Sequence, residues 1–221
     1  MGKIQIEGNE LIIMNSDAKS IQNKCIEATE LLQIARKYFD DKLDDLAAEA
    51  YIKVNDLCPA KLDCNSLSIA GTTCFMSGKY ASAISFLTMA VDCEANEKMQ
   101  YFNYNYLSKS YIYSGNFDNV LFFIMKGLNY AKEKNEISDC YFDLAFTYTY
   151  HFKDYQKAID YYEKSIDLYL TYLSVKEDDI LNGKVKNQAL AARYSNLSIA
   201  YEYLGQKTNA EKCDIKALLL E

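Results

Sequence analysis

The chain of 221 residues has a single proline, a single histidine, no tryptophan and only eight glycines. Short strands need frequent turn residues, so this scarcity of proline and glycine excludes a turn-rich all-β fold. One histidine excludes any centre that needs two, a His-rich zinc site above all. Basic residues are also short: 24 Lys and Arg against 31 Asp and Glu give a formal net charge of −7. Nucleic-acid binding leans on phosphate neutralisation by a basic face, and no block of Lys and Arg supplies one. The same deficit argues against an anionic membrane surface. Long apolar runs are missing too. Leu11 to Met14 and Val120 to Met125 are the longest, far below the roughly 20 residues that span a bilayer. The opening MGKIQIEGNE lacks the apolar centre of a signal peptide. The expected location is cytoplasmic.

The seven cysteines are Cys25, Cys58, Cys64, Cys74, Cys93, Cys140 and Cys213. Their number is odd and none form a CxxC pair, so neither a disulfide framework nor a metal site is expected. Most are read as small buried hydrophobes. No cofactor is implied.

What is abundant is aromatic: 20 tyrosines and 10 phenylalanines. They fall in a repeat. Five segments carry a large residue, a small one four places on, and a ring or cysteine three places later. The sets are Leu31/Ala35/Tyr38, Leu67/Gly71/Cys74, Tyr104/Ser108/Tyr111, Tyr141/Ala145/Tyr148 and Tyr194/Ser198/Tyr201. Four-then-three spacing is one face of a helix. About 12 residues after each small residue comes Ala47, Ala83, Val120, Ala158 or Ala210, and seven further on Val54, Ala90, Gly127, Ser165 or Ala217. Seven residues is two helical turns, so each pair shares a face of a second helix. Gly78, Gly115 and Gly205 fall between the helices, where the chain must reverse. The first-helix small residues stand at 35, 71, 108, 145 and 198, intervals of 36, 37, 37 and 53. Unit four carries one extra residue near His151 to Asp154, and extra chain separates it from unit five.

This pattern resembles the tetratricopeptide repeat family, over roughly residues 29 to 220. ASAISFLTMAV, DYQKAIDYYEKSIDLY and NLSIAYEYLGQKTNAEKCDIKAL carry the resemblance most closely. Lys42 stands where glycine is usual, and only Pro59 sits where the motif often ends a repeat. The resemblance implies an all-α, right-handed superhelical α-solenoid of about five helix-turn-helix repeats. These lie near 29–59, 65–95, 102–134, 139–172 and 190–220, with an insertion at 173–189 inside a domain of 17–221. Residues 1–16 form a leader. Within it, alternating Ile4 and Ile6 and the pair Gly8-Asn9 suggest a short hairpin over residues 3–14. Helical periodicity starts after Asn15-Ser16-Asp17, good capping residues. At the other end, Leu218-Leu219-Leu220 is not a polar cap. It suggests a fragment of a longer protein, or a homodimer through the C-terminal helix.

In the resembling family the first helices line a concave groove. The residues beside the packing stripe are Arg36 in unit one, and Asn105, Tyr106, Lys109 and Tyr113 in unit three. Phe142, Phe146 and Tyr150 follow in unit four, and Asn196 and Tyr203 in unit five. Tyrosine gives large contact area with few rotors, and asparagine pairs both groups of a peptide amide. The expected partner is a peptide or protein helix in this groove, and the role that of a non-catalytic adaptor or scaffold. The carboxylate clamp by which some family members hold chaperone tails is absent: of Leu32, Arg36, Ile69, Phe102 and Tyr106, only Arg36 is basic. An alternative is the peptide-sensing arm of a bacterial quorum-type regulator, with Asn105 and Asn196 as ligand contacts. An enzyme is the weakest reading. His151 sits in a turn beside Lys153 and Asp154, there is no Walker loop, and Asp40 to Asp45 lacks the glycine and glutamate of an EF-hand.

Overall fold

The computed structural model describes residues 9–93 and 96–221, with side chains from residue 19 onward. The chain divides into two compact units, Met1–Glu94 and Ala95–Glu221. The first holds α1 (Asn9–Asp40), α2 (Asp44–Leu57), α3 (Cys64–Met76) and α4 (Tyr80–Cys93), with a 3₁₀ turn at Pro59–Lys61. The second holds α5 (Glu97–Tyr113), α6 (Val120–Tyr130), α7 (Lys134–Thr147), a π-helical turn at Tyr148–Phe152, α8 (Tyr155–Leu173), α9 (Glu177–Leu181), α10 (Gln188–Tyr203) and α11 (Lys207–Leu220). No strand occurs among the described residues.

The expected helix pairs are present: α1 with α2, α3 with α4, α5 with α6, α7 with α8 and α10 with α11. Every one of the small-residue and second-helix positions of the repeat is buried, from Ala35, Gly71, Ser108, Ala145 and Ser198 through to Ala217. Small side chains let two helix backbones approach, and neighbouring rings fill the space beside them. Gly71 shows how close the approach is. A Cβ there would lie 2.4 Å from Leu87 Cγ across the α3–α4 contact. Helix starts are fixed by side chains that accept from free backbone N–H groups: Asp63 from Ser66, Asn96 from Met99, Asp154 from Lys157 and Asn187 from Leu190. Gly78, Gly115 and Gly205 take left-handed φ of 69–73° where the first helices end. Lys42 replaces glycine in the first pair and adopts the same conformation, φ 58°.

Unit four's extra residue is absorbed by the π-helical turn at Tyr148–Phe152, which lodges one more residue without breaking the helix. The insertion at 173–189 is not simply solvated chain. Its short helix α9 buries Ile180 completely in the core formed with Tyr162, Leu190 and Leu220. A buried isoleucine contributes about 1.5–3 kcal/mol, enough to hold the insertion down.

Two expectations are corrected. The second arm of the supposed hairpin, Asn9 to Met14, belongs to α1, as do the supposed capping residues Asn15 to Asp17. Its first arm lies outside the described residues. An isolated two-stranded hairpin is marginal in water, whereas lengthening an existing helix adds one hydrogen bond per residue fixed. The cysteines also differ. Cys25–Cys58 joins α1 to the end of α2, and Cys64–Cys93 joins the start of α3 to the end of α4. Only Cys74, Cys140 and Cys213 are free and buried, as expected of small hydrophobes. Antiparallel helix pairs bring residues 33 and 29 apart together, a proximity that local spacing rules do not register.

Candidate functional site

The expected groove residues separate between the two units. Arg36, in the first, donates to Ser66 Oγ at 3.0 Å and lies 3.7 Å from Asp63. The other nine lie in the second unit, on the first helices α5, α7 and α10 and the π-helical turn.

Phe142, Phe146 and Tyr150 follow one another at four-residue spacing. Ring centroids are 6.4 Å apart for Phe142–Phe146 and 4.4 Å for Phe146–Tyr150. Their row ends on α10, where the Tyr150 hydroxyl donates to Asn196 Oδ1 at 3.1 Å. The Asn196 amide donates in turn to the Ala192 carbonyl, which fixes its orientation. Burial, and then the neighbouring Tyr203, pushes the Tyr150 phenol up. Tyr203 itself stacks on Tyr155 at 4.6 Å and is well exposed, as is Tyr113 at the end of α5.

Beside this row lies a buried polar cluster. Lys109 Nζ donates to Asn105 Oδ1 at 3.0 Å and stands 3.8 Å from Asp143 Oδ2. Asn105 and Asp143 are 8% and 5% exposed, and half-buried Tyr106 lies near Lys109. Burial pushes the Asp143 carboxyl up to about 6, with Lys109 opposing it. Burial would lower Lys109, but the carboxylates of Asp143 and Asp139 outweigh it and raise the ammonium. Asn105 Nδ2 and Asp143 Oδ2 are buried without a hydrogen bond. The cluster therefore holds one donor and one acceptor without a hydrogen bond, the acceptor facing the Lys109 ammonium, and an unmade bond of this kind costs about 1–3 kcal/mol.

Sequence reasoning missed Arg193, which ties the second unit together. It is 4% exposed. Its Nε donates to Ser165 Oγ at 3.0 Å and Ser138 Oγ at 3.3 Å, Nη1 donates to the Ala189 carbonyl, and Nη2 pairs with Asp139. The Tyr169 and Phe142 rings lie 4.0 and 5.3 Å from the guanidinium. Arg193 thus anchors the first ring of the aromatic row. The signal was available: Arg193 directly precedes a residue of the packing stripe, Tyr194. His151, the weak catalytic candidate, is exposed and stacks on Phe117 at 4.1 Å.

No family model matches the chain, and no curated protein does. Solved structures do. A crystal structure of MamA is 22% identical, over 86% of this chain and 90% of that one, with a TM-score of 0.62. A Podospora anserina putative kinesin light chain with nearly identical TPR-like repeats is 14% identical over 88% of this chain and 94% of that one, TM-score 0.63. The APC/C hetero-tetramer Cut9–Hcn1 is 17% identical over 96% of this chain but 36% of that one, TM-score 0.61. At these identities the likeness is one of fold. The chain has the tetratricopeptide-repeat fold, an all-α solenoid of helix-turn-helix units. No helix among the described residues is long and apolar enough to cross a membrane.

Proposed function

We propose that the first-helix face of the second unit holds an extended peptide or a partner helix, and that the protein is a non-catalytic adaptor. The observation that carries this is the ring row Phe142–Phe146–Tyr150. It is anchored by Arg193 at one end and Asn196 at the other, and flanked by the spare amide donor of Asn105 and the spare oxygen of Asp143. Rings held in place by their neighbours lose little entropy on binding. A buried donor and acceptor near them complement the C=O and N–H of a peptide.

The test is selection of a random peptide library on the full chain. Selected peptides are expected to bind wild type about tenfold tighter, or 1.4 kcal/mol, than Phe146→Ala and Asn105→Ala variants of unchanged helicity. Equal affinity for all three proteins removes the ring row from consideration as the binding face.

A further inference from the structure

The second unit contains another place built to receive a ligand, and none of its lining belongs to the aromatic row. It is a cavity of about 300 Å³ between α8, α9, α10 and α11. Its floor is made by Ile166, Tyr194 and Leu197, all buried. Its rim is charged. Glu163 and Asp167 come from α8, Glu177 from α9, and Lys212 and Lys216 from α11.

Some of these groups are already engaged. The Lys216 ammonium pairs with Glu177 and lies 5.2 Å from the Tyr194 ring centre. The Tyr201 hydroxyl donates to Glu163 Oε1 at 2.6 Å, which leaves that carboxylate its charge and its second oxygen. Besides the exposed Lys212 ammonium, two groups are unengaged. The Asp167 carboxylate makes no ion pair or hydrogen bond among the described residues, and its neighbours Glu163 and Asp160 extend an acidic row along α8 at three- and four-residue spacing. The Tyr194 hydroxyl also makes no hydrogen bond among the described residues, although the residue is only 4% exposed. A tyrosine this enclosed normally finds its hydroxyl a partner. The surroundings are negative: burial, and then Glu177, Cys213 and Asp167, push the Tyr194 phenol up.

We infer that this cavity is a docking site for a cationic side chain, an arginine above all, projecting from a partner protein. The acidic row attracts a cation and repels an anion: Lys164, within the row, lies over the Tyr161 ring at 5.2 Å, Lys216 is neutralised by Glu177, and exposed Lys212 is free to turn into solvent. The volume sits at the lower limit of ligand pockets, so it takes one side chain rather than a folded segment. A planar guanidinium offers five donors in a fixed fork, enough to meet Asp167, Glu163 and the Tyr194 oxygen together. This site is independent of the peptide face proposed above and does not rest on it.

The test is amide NMR of the full isotope-labelled chain titrated with N-acetyl-arginine amide, its lysine and citrulline counterparts, and free arginine. N-acetyl-arginine amide is expected to shift α8 and α10 amides saturably, with a Kd on the order of 1 mM for a ligand of this size. The lysine compound should bind more weakly, and the neutral citrulline compound should leave those amides unmoved. Asp167→Asn and Tyr194→Phe should each weaken binding at least about fivefold. Equal shifts from citrulline, or unchanged binding by both variants, overturn the site. No saturable shift from any of the compounds overturns it too. Tighter binding of free arginine than of the blocked form makes the cavity a small-molecule site and overturns docking.

Discussion

Gly71 offers the sharpest test of how the helix pairs are held together. Replacing it by alanine adds one methyl group, 2.4 Å from Leu87 Cγ and 2.7 Å from Cδ2. Carbon pairs prefer about 3.5–4.0 Å, so Leu87 must withdraw by about 1 Å. It is fully buried and has nowhere to go. Overpacking of this kind costs about 1–3 kcal/mol, while glycine to alanine inside a helix returns about 0.8–1.0 kcal/mol. Gly127 provides the control. It is a buried helical glycine on the second helix of the third pair, but a Cβ there would meet nothing nearer than Tyr104 Cβ at 3.5 Å, an ordinary contact. Gly127→Ala should therefore stabilise its unit by about 0.8 kcal/mol, the propensity gain alone. Chemical unfolding followed by circular dichroism is expected to separate the two variants by about 1–3 kcal/mol, Gly71→Ala being the weaker. The cause is isolated by a cycle with Leu87→Ala, run in sucrose to keep the first unit folded. With Leu87 shortened only its backbone N stays close, 3.3 Å from the new Cβ, so Gly71→Ala should lose most of its cost. If it destabilises equally in both backgrounds, the close α3–α4 approach is not what glycine permits.

Three further outcomes follow from the same structure. Closing loops of 33 and 29 residues, the two cysteine pairs should each stabilise the first unit by about 3.5 kcal/mol. Thiol titration in denaturant without reductant should find three reactive cysteines, whereas seven would show that the pairs do not form. Asp143 has its folded pKa raised to about 6 from 3.8, so its protonation favours the folded state. The contribution is fully present below about pH 4 and is lost as pH rises through 6, a swing of about 2–3 kcal/mol in wild type that Asp143→Asn should abolish when the two stability–pH curves are subtracted. Arg193→Lys leaves one ammonium with three donors for the four acceptors that the guanidinium meets, Ser138, Ser165, Asp139 and the Ala189 carbonyl. It should lower the unfolding midpoint of the second unit, by about 1–3 kcal/mol, and equal stability would mean that the guanidinium fork is dispensable.

Much of the fold is legible in the sequence because close packing leaves a periodic trace. A small residue at 35, 71, 108, 145 and 198 is a volume requirement, and all five sites are buried. The extra residue near His151 is legible for the same reason: it breaks the interval, and the backbone absorbs it as a π-helical turn. What escapes is whatever depends on juxtaposition. Cys25 and Cys58 meet only because α1 and α2 run antiparallel, and no local spacing rule encodes that distance. The start of α1 was misplaced because Asn15, Ser16 and Asp17 are good caps wherever they occur, and cap chemistry alone does not say whether a helix has already begun. Ile180 follows the charged run Lys176 to Asp179, which carries no periodic sign of burial, yet one buried isoleucine suffices to pin it.

The candidate site is harder to read than the fold because rings serve both roles. Tyr101 and Tyr194 are nearly inaccessible, while Tyr113 and Tyr203 are each 61% exposed, and all four sit on first helices. Residue type does not separate them; position along the helix does. The buried pair lies toward the N-terminal half of α5 and α10, where neighbouring helices are in contact. The exposed pair lies in the last turn of each helix, where the chain is about to reverse. Alanine-sized residues carry the close helix contacts, so a ring in the last turn is not needed to fill them. Such rings can stay exposed at little cost to the fold, since surface substitutions away from packed features usually change stability by less than about 0.5 kcal/mol. A face that can vary without unfolding the protein is the one on which recognition can be built. The polar groups beside it differ in kind. Asn105, Asp143 and Arg193 are buried, and each would be a liability in a core with no task beyond packing. The unmade hydrogen bonds of Asn105 and Asp143 favour the proposed binding face on the second unit.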